Sequence, residues 1–301
     1  MTDKNNVKRV TSHYNEAAEH YHQHYDRSAL SDVKLPYPAN YFRLEILLES
    51  FVKLGLKRVV EVGVGEGTPL TALAAAGIDV WGFDVAVNMV EKCKRKMQDC
   101  GLSPDHVFHA DIQASATYAD RLGVGTFDGL MAMGVMPHID DDDVALTNMA
   151  ALVRPGGTVF VEFRNKLFSL FTFNRYTRDF VVDDLLNGVD DRIRSRVAQD
   201  LNTRLRIDQP PVRQSIGSAP GYDAILSKLH NPLEMPEFFA RYGFTDVKLR
   251  WYHYHPSMPY LAEEFPSLFR GEAIRLEGET SGWRGFFLCS AFVVQATKSR
   301  G

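Results

Sequence analysis

Short apolar runs that alternate with helix-like stretches constrain the fold of this chain more than any other feature. Four such runs, rich in Val, Ile and Phe, occupy residues 59–62, 78–83, 127–133 and 158–163. Runs of this kind are typical of strands that are buried on both faces. Strands that alternate with helices form parallel sheets and bind ligands at their carboxyl ends. The pattern therefore predicts an α/β fold with a doubly wound, mostly parallel sheet.

Local signals predict the helices between these runs. Thr68 is expected to cap a helix that stops at Gly77. A second helix is predicted over residues 86–100, and a third follows the acidic run at 140–143. The inward face of the second helix is expected to carry Val87, Val90 and Met97.

The last sixty residues return to a core pattern. A helix is predicted over residues 235–243, a strand over 244–255 and an alternating strand over 285–298. Two strands so close to the C-terminus suggest an antiparallel pair at one end of the sheet.

Composition excludes several classes of protein. The chain carries 34 Lys and Arg against 38 Asp and Glu, whereas nucleic-acid binders need a basic surplus to contact phosphates. Three cysteines are too few for a disulfide framework or a zinc site. No run has the length of a signal peptide core or a membrane span. We therefore expect a cytoplasmic monomer or homodimer that binds neither nucleic acid nor membrane.

A glycine-rich turn separates the first apolar run from the helix that follows it. Glu61 lies on the predicted strand, and Gly63, Gly65 and Gly67 follow it in the pattern E-x-G-x-G-x-G. Glycines let the backbone turn sharply and approach a ligand. Dinucleotide-binding dehydrogenases favour G-x-G-x-x-G, whose third glycine would fall on Thr68. Their pyrophosphate would also be repelled by the acid at position 61.

This turn resembles the first motif of class I S-adenosylmethionine-dependent methyltransferases, which cradles the methionyl and ribose parts of the cofactor. Asp84 ends the second strand, where the resemblance implies a carboxylate that binds both ribose hydroxyls. Asp111 resembles the acid that accepts the adenine amino hydrogen. The turn Arg154–Gly157 resembles the family's entry into the fifth strand. These motifs occur in the family's chain order and cover residues 41–163.

The resemblance also implies where the remaining cofactor contacts lie. Met133 and Gly134 end the fourth strand and should lie beside the transferred methyl group. Tyr14 and Tyr21, seven residues apart and so on one helical face, resemble residues that cover the cofactor in small-molecule methyltransferases. The predicted cofactor contacts are Tyr14, Tyr21, Glu61, Gly63, Gly65, Gly67, Asp84, Val85, Asp111, Ile112, Met133 and Gly134.

This interpretation divides the chain into four parts. Residues 1–40 form an N-terminal helical cover, and 41–164 form the S-adenosylmethionine-binding core. Residues 165–230 are polar and interrupted by prolines, and are interpreted as an inserted substrate lid. Residues 231–301 complete the core sheet. The whole is a seven-stranded sheet with an antiparallel C-terminal strand.

Candidate bases lie near the expected methyl position. His138 follows the fourth strand and is the first candidate, since an unperturbed histidine titrates near neutrality. His253 and His255 end the penultimate strand and are the second, with strand alternation placing them opposite Tyr252 and Tyr254. Metal binding by histidines with the run at 140–143 is an alternative, but this run better suits a helix cap and no metal is expected.

The sequence thus predicts transfer of a methyl group from S-adenosylmethionine to a small-molecule acceptor. O-methylation of a natural product or sugar-like metabolite is favoured, because candidate bases are present. N-methylation is an alternative. So are a nicotinamide-dependent oxidoreductase, which Glu61 and Thr68 disfavour, and a non-catalytic S-adenosylmethionine-binding subunit.

Overall fold

Seven strands form a single sheet in the order β3-β2-β1-β4-β5-β7-β6. The computed structural model describes residues 4–205, 221 and 224–300. All neighbouring pairs are parallel except those of β7, which runs antiparallel to β5 and to β6. The predicted doubly wound, mostly parallel sheet with an antiparallel C-terminal strand is confirmed. The strands are β1 Arg58–Val62, β2 Asp79–Asp84, β3 Val107–His109, β4 Phe127–Ala132, β5 Val153–Arg164, β6 Phe244–Tyr254 and β7 Cys289–Lys298.

Helices connect these strands and precede the first of them. A π-helix spans Phe180–Leu185, and 3-10 turns at Tyr21–Tyr25 and Arg27–Leu30 precede the second helix. The α-helices of the described residues are α1 Lys4–Ala17, α2 Ala39–Leu54, α3 Thr68–Ala75, α4 Val87–Asp99, α5 Ala119–Leu122, α6 Asp142–Leu152, α7 Ser169–Thr172, α8 Arg175–Asp179, α9 Asp191–Arg204, α10 Met235–Ala240, α11 Pro266–Leu276 and α12 Gly285–Leu288.

The core lies on both faces of the sheet. Val60, Leu130 and Phe163 belong to a cluster that includes side chains of α6 and α10. Val59, Met131 and Phe160 belong to a second cluster on the other face, which includes side chains of α2, α3 and α4. Since consecutive strand residues point to opposite faces, this double burial explains why the strands read as continuous apolar runs.

The second predicted helix has a different inward face from the one expected. Val87 is 48% exposed, whereas Met89, Val90, Cys93 and Met97 are buried. At 100° per residue, Val87 lies about 100° from the centre of that buried face. The prediction was correct for Val90 and Met97 and wrong for Val87.

Three boundaries also differ from the sequence prediction. The N-cap of α3 is Gly67 rather than Thr68, which is the first helical residue. Residues 285–288 form α12, so the last strand begins only at Cys289. The turn Arg154–Gly157 lies within β5, because Val153 already pairs with Phe127.

The inserted segment is largely helical where the structure describes it. It carries α7, α8, the π-helix and α9, and α9 has no buried residue. The rest of the predicted lid, residues 206–220 and 222–223, lies outside the described residues. The returning chain is held against the core, where Lys228 and His230 both contact Asp142. No described helix combines the length and apolar character needed to cross a membrane.

Candidate functional site

A pocket opens at the carboxyl ends of β1, β2 and β4 and continues past β3. It contains ten of the twelve predicted cofactor contacts, and Glu61 and Gly67 are the two outside its lining. The N-terminal segment contributes to it, because Tyr14 of α1 and Tyr21 both line the pocket. The pocket thus brings together residues that lie up to about 120 positions apart in the sequence. The predicted residues in the lining are Tyr14, Tyr21, Gly63, Gly65, Asp84, Val85, Asp111, Ile112, Met133 and Gly134, with His138 beside them.

The glycines of the turn are required by its geometry. Gly63 has a φ of 75°, and a Cβ there would lie 2.6 Å from Cγ2 of Val135. Gly67 has a φ of 91°, and a Cβ there would lie 3.2 Å from Cα of Cys93. Both the positive φ and the close packing exclude other residues. Gly67 therefore shapes the start of α3 from behind the pocket.

Asp84 fixes the position of this turn. Its Oδ2 accepts a hydrogen bond of 2.9 Å from the N–H of Gly65, and its Oδ1 accepts one of 2.8 Å from Ala86. Burial raises the pKa of Asp84, and the two N–H donors act in the opposite direction. Each carboxylate oxygen has a second lone pair. The side chain can therefore hold the loop and still accept hydrogen bonds from a diol in the pocket.

Glu61 lies behind the turn on β1. It is 1% exposed, and its Oε2 has no hydrogen-bond partner among the described residues. Burial raises the pKa of this carboxyl well above its usual range. A buried acceptor of this kind suits a ligand that brings N–H donors, as the ammonium group of S-adenosylmethionine does, directly or through water.

Asp111 and Ile112 form the wall after β3. Oδ1 of Asp111 accepts a hydrogen bond of 2.9 Å from the N–H of Gln113, which closes a turn. Ile112 is buried, and its carbonyl accepts a hydrogen bond from Asn148. An acid next to an apolar side chain suits the edge and face of a purine ring.

His138 joins the cover to the core. Its Nε2 accepts a hydrogen bond of 2.9 Å from the hydroxyl of Tyr14, and its Nδ1 donates one of 2.6 Å to the carbonyl of Leu226. Because a carbonyl only accepts, the hydrogen of the neutral ring is on Nδ1. Burial lowers the pKa of His138 to about 4. A proton can therefore reach Nε2 through the Tyr14 hydroxyl.

The histidines at the end of β6 lie outside the pocket lining. His253 and His255 do face each other, with ring centroids 4.9 Å apart. Strand alternation fails here, however, because His253 has a left-handed φ of 59°. Tyr252 and Tyr254 consequently belong to different core clusters, and their predicted placement on one face was wrong.

A buried ion pair beside the pocket was not predicted. Nη1 of Arg43 on α2 lies 2.9 Å from Oε2 of Glu162 on β5, and both side chains are at most 5% exposed. Nη2 of Arg43 also donates to the hydroxyl of Tyr25. A Cβ at Gly134 would lie 3.7 Å from Glu162, so the pair borders the pocket. The one local signal was Glu162, a charged residue inside the apolar run 158–163; the sequence around Arg43 offered none.

Comparison with known proteins agrees with this geometry. A family model described as a methyltransferase domain matches residues 60–161. A ubiquinone biosynthesis O-methyltransferase of Aromatoleum aromaticum is 28% identical over 138 residues, which cover 46% of this chain and 57% of that protein. A protein of the same name from Coxiella burnetii is 28% identical over 144 residues, which cover 48% and 59%. The chain thus spans somewhat over half the length of these relatives.

Solved structures give the same fold. The magnesium protoporphyrin IX methyltransferase of Synechocystis with bound S-adenosylhomocysteine has a TM-score of 0.53 at 15% identity, and the match covers 98% of this chain and all of that one. A putative methyltransferase of Haloferax volcanii, in complex with an activator, has a TM-score of 0.52 at 14% identity, with 95% and 97% covered. Residues 60–161 thus match a methyltransferase domain, and the sheet order and fold of the chain are those of class I S-adenosylmethionine-dependent methyltransferases.

Proposed function

We propose that this protein transfers the methyl group of S-adenosylmethionine to an oxygen atom of a small-molecule acceptor. The observation that carries the proposal is the convergence of residues from four strand ends and the N-terminal cover on one pocket. Asp84 holds the ribose hydroxyls, and Asp111 with Ile112 holds the adenine. The glycine turn takes the methionyl part, and Glu61 faces its ammonium group from behind. Met133 and Gly134 border the sulfonium methyl.

Methyl transfer is an in-line displacement in which the acceptor oxygen attacks as the bond from carbon to sulfur breaks. A hydroxyl acceptor must lose a proton in this reaction. The pair Tyr14 and His138 supplies a route, because the Tyr14 hydroxyl already donates to Nε2 of His138. The relatives named as O-methyltransferases support oxygen as the methylated atom. An amine that binds in its uncharged form can attack without first losing a proton, so it would not need the pair of Tyr14 and His138.

Calorimetric titration of the purified chain with S-adenosylmethionine, S-adenosylhomocysteine and NAD tests the cofactor first. We expect binding of the first two alone. Binding of NAD alone would refute the proposal in favour of an oxidoreductase.

Turnover separates an enzyme from a binding subunit. Release of S-adenosylhomocysteine is measured with mixtures of hydroxylated and amino acceptors at equal concentration. Methylation of the hydroxylated set supports the proposal, whereas methylation of amines alone would contradict it. Cofactor binding with turnover only after a partner protein is added would identify a non-catalytic subunit.

A further inference from the structure

A second group of side chains lies on the same edge of the sheet as the cofactor pocket. It comprises Tyr37 of the N-terminal cover, Phe168 after β5, and His253 and His255 at the end of β6, and is called the histidine cluster below. The ring of His253 stacks on Tyr37 with centroids 5.5 Å apart. The ring of His255 lies 4.7 Å from Phe168 and 4.9 Å from His253.

The cluster is held in an unfavourable backbone conformation. His253 has a φ of 59°, which L-residues rarely adopt. Glu277 of the neighbouring segment maintains it, since its carboxylate accepts the N–H groups of His253 at 3.2 Å and Tyr254 at 2.9 Å. The same carboxylate accepts the hydroxyl of Tyr37 at 2.7 Å. Strain that the surroundings enforce in this way is typical of functional sites.

The cluster also contains a polar atom without a partner. Nε2 of His255 is buried and makes no hydrogen bond to any described residue, and the same holds for Oγ of Ser257 two residues later. Buried polar atoms in native proteins are almost always paired, with protein, water or a ligand. The ring of His255 therefore has an unused hydrogen-bonding position between aromatic side chains.

The surroundings of His255 point to an uncharged partner. Burial alone lowers the pKa of His255 to about 4, with no contribution from a charged neighbour. A carboxylate or ammonium group placed here would lack a counter-charge in a poorly solvated site. A hydroxyl group can pair with a neutral imidazole, and an aromatic ring can pack against Phe168 and His253.

The charge of Arg164, the last residue of β5, acts on a histidine of the cluster and on a histidine of the cofactor pocket. Burial is the main reason for the lowered pKa of His138 and of His253, and the charge of Arg164 lowers both further. One side chain thus acts on a residue of the pocket lining and on a member of the cluster. Because β6 runs parallel to β4 and β5 in the same sheet, the cluster and the pocket both lie at the carboxyl ends of strands on one edge of that sheet.

We propose that the histidine cluster is an acceptor subsite that binds a hydroxylated aromatic ring, with the ring hydroxyl hydrogen-bonded to Nε2 of His255. This inference rests on the proposed methyltransferase function and gives its acceptor a chemical class, the phenols. His255 here binds the acceptor and takes no proton from it.

Calorimetric titration with catechol tests the subsite on the full chain saturated with S-adenosylhomocysteine. We expect catechol to bind, and His255→Phe to weaken that binding at least about tenfold while S-adenosylhomocysteine affinity stays unchanged. His106→Phe is the matched control and should leave both affinities unchanged. His106 immediately precedes β3, at the edge of the sheet opposite the histidine cluster. Cyclohexane-1,2-diol, which has the hydroxyls without the aromatic ring, should bind at least tenfold more weakly than catechol.

An NMR measurement on the unmodified chain tests the subsite even if the variant fails to fold. The ¹⁵N resonance of His255 Nε2 should shift when catechol is added to the complex. Equal catechol affinity of the unmodified chain and His255→Phe, or absence of catechol binding, would overturn the subsite and leave the proposed function standing. Failure of the unmodified chain to bind S-adenosylhomocysteine would instead refute the proposed function, and the inference with it.

Discussion

Asp84 serves two purposes with one carboxylate. It already accepts backbone N–H groups from Gly65 and Ala86, and we propose that it also holds the ribose. Asp84→Ala should therefore remove charge-assisted hydrogen bonds and loosen the turn, and weaken S-adenosylhomocysteine binding by about 1.5–3 kcal/mol, or roughly 10- to 150-fold. Asp79→Ala, at the half-exposed start of the same strand, is the control. If calorimetry shows that Asp84→Ala binds S-adenosylhomocysteine as tightly as the unmodified chain, Asp84 does not bind the ribose.

The ion pair of Arg43 and Glu162 is a different kind of residue-scale feature. Removing one partner leaves the other charge buried, which typically costs about 3–5 kcal/mol. Glu162→Gln should lower the free energy of unfolding by about that amount in urea titrations. Asp246→Asn breaks an ion pair with Lys248 in which both side chains are about half exposed, and should cost less than about 1 kcal/mol. Similar losses in the two variants would contradict the description of the buried pair.

At the scale of elements, α1 depends on contacts made by a few side chains. The hydroxyl of Tyr14 bonds to His138, and Asn6 donates to the carbonyl of His138 and to Asp140. Tyr14→Phe keeps the ring and removes one of these bonds. We expect faster amide hydrogen exchange across α1, by roughly three- to tenfold for a bond of about 1 kcal/mol. Tyr41→Phe is the control, because the Tyr41 hydroxyl has no hydrogen bond among the described residues, and equal exchange in both would show that Tyr14 does not hold the helix.

Elements whose limits depend on local chemistry were predicted well from sequence. The bounds of β1, β2, β4 and α4 agree within one residue, since apolar runs and glycines determine them. The predicted start of β7 was wrong because a tertiary contact determines where the strand begins. A Cβ at Gly285 would overlap the indole of Trp251, so the segment 285–288 packs under that ring as α12. Likewise the left-handed backbone of His253 is held by Glu277, which lies 24 residues later in the chain and accepts its N–H.

At the scale of the whole molecule, the site combines parts that sequence reasoning treats separately. The glycine turn and the acids at the strand ends were visible because each follows a recognisable strand. The pairing of Arg43 with Glu162, 119 residues apart, has no local signature. The same holds for His138, which bonds to α1 on one side and to the chain returning from the insertion on the other. Long-range pairings of polar groups are therefore the part of this site that required a structure.

Glu277 makes the stability of the whole molecule depend on pH. Burial is the main cause that raises the pKa of its carboxyl from 4.5 to about 7, against three hydrogen bonds that lower it. Between these values the folded state binds more protons than the unfolded state, so stability falls as pH rises. Glu277→Gln cannot titrate. The free energy of unfolding of the native chain should therefore decline relative to this variant by about 2–3 kcal/mol from pH 5 to pH 8. Buried histidines such as His138 act in the opposite sense but cancel in the difference. Glu272→Gln, on the exposed side of α11, should show no such trend, and a pH-independent difference for Glu277→Gln would mean that its carboxyl titrates normally.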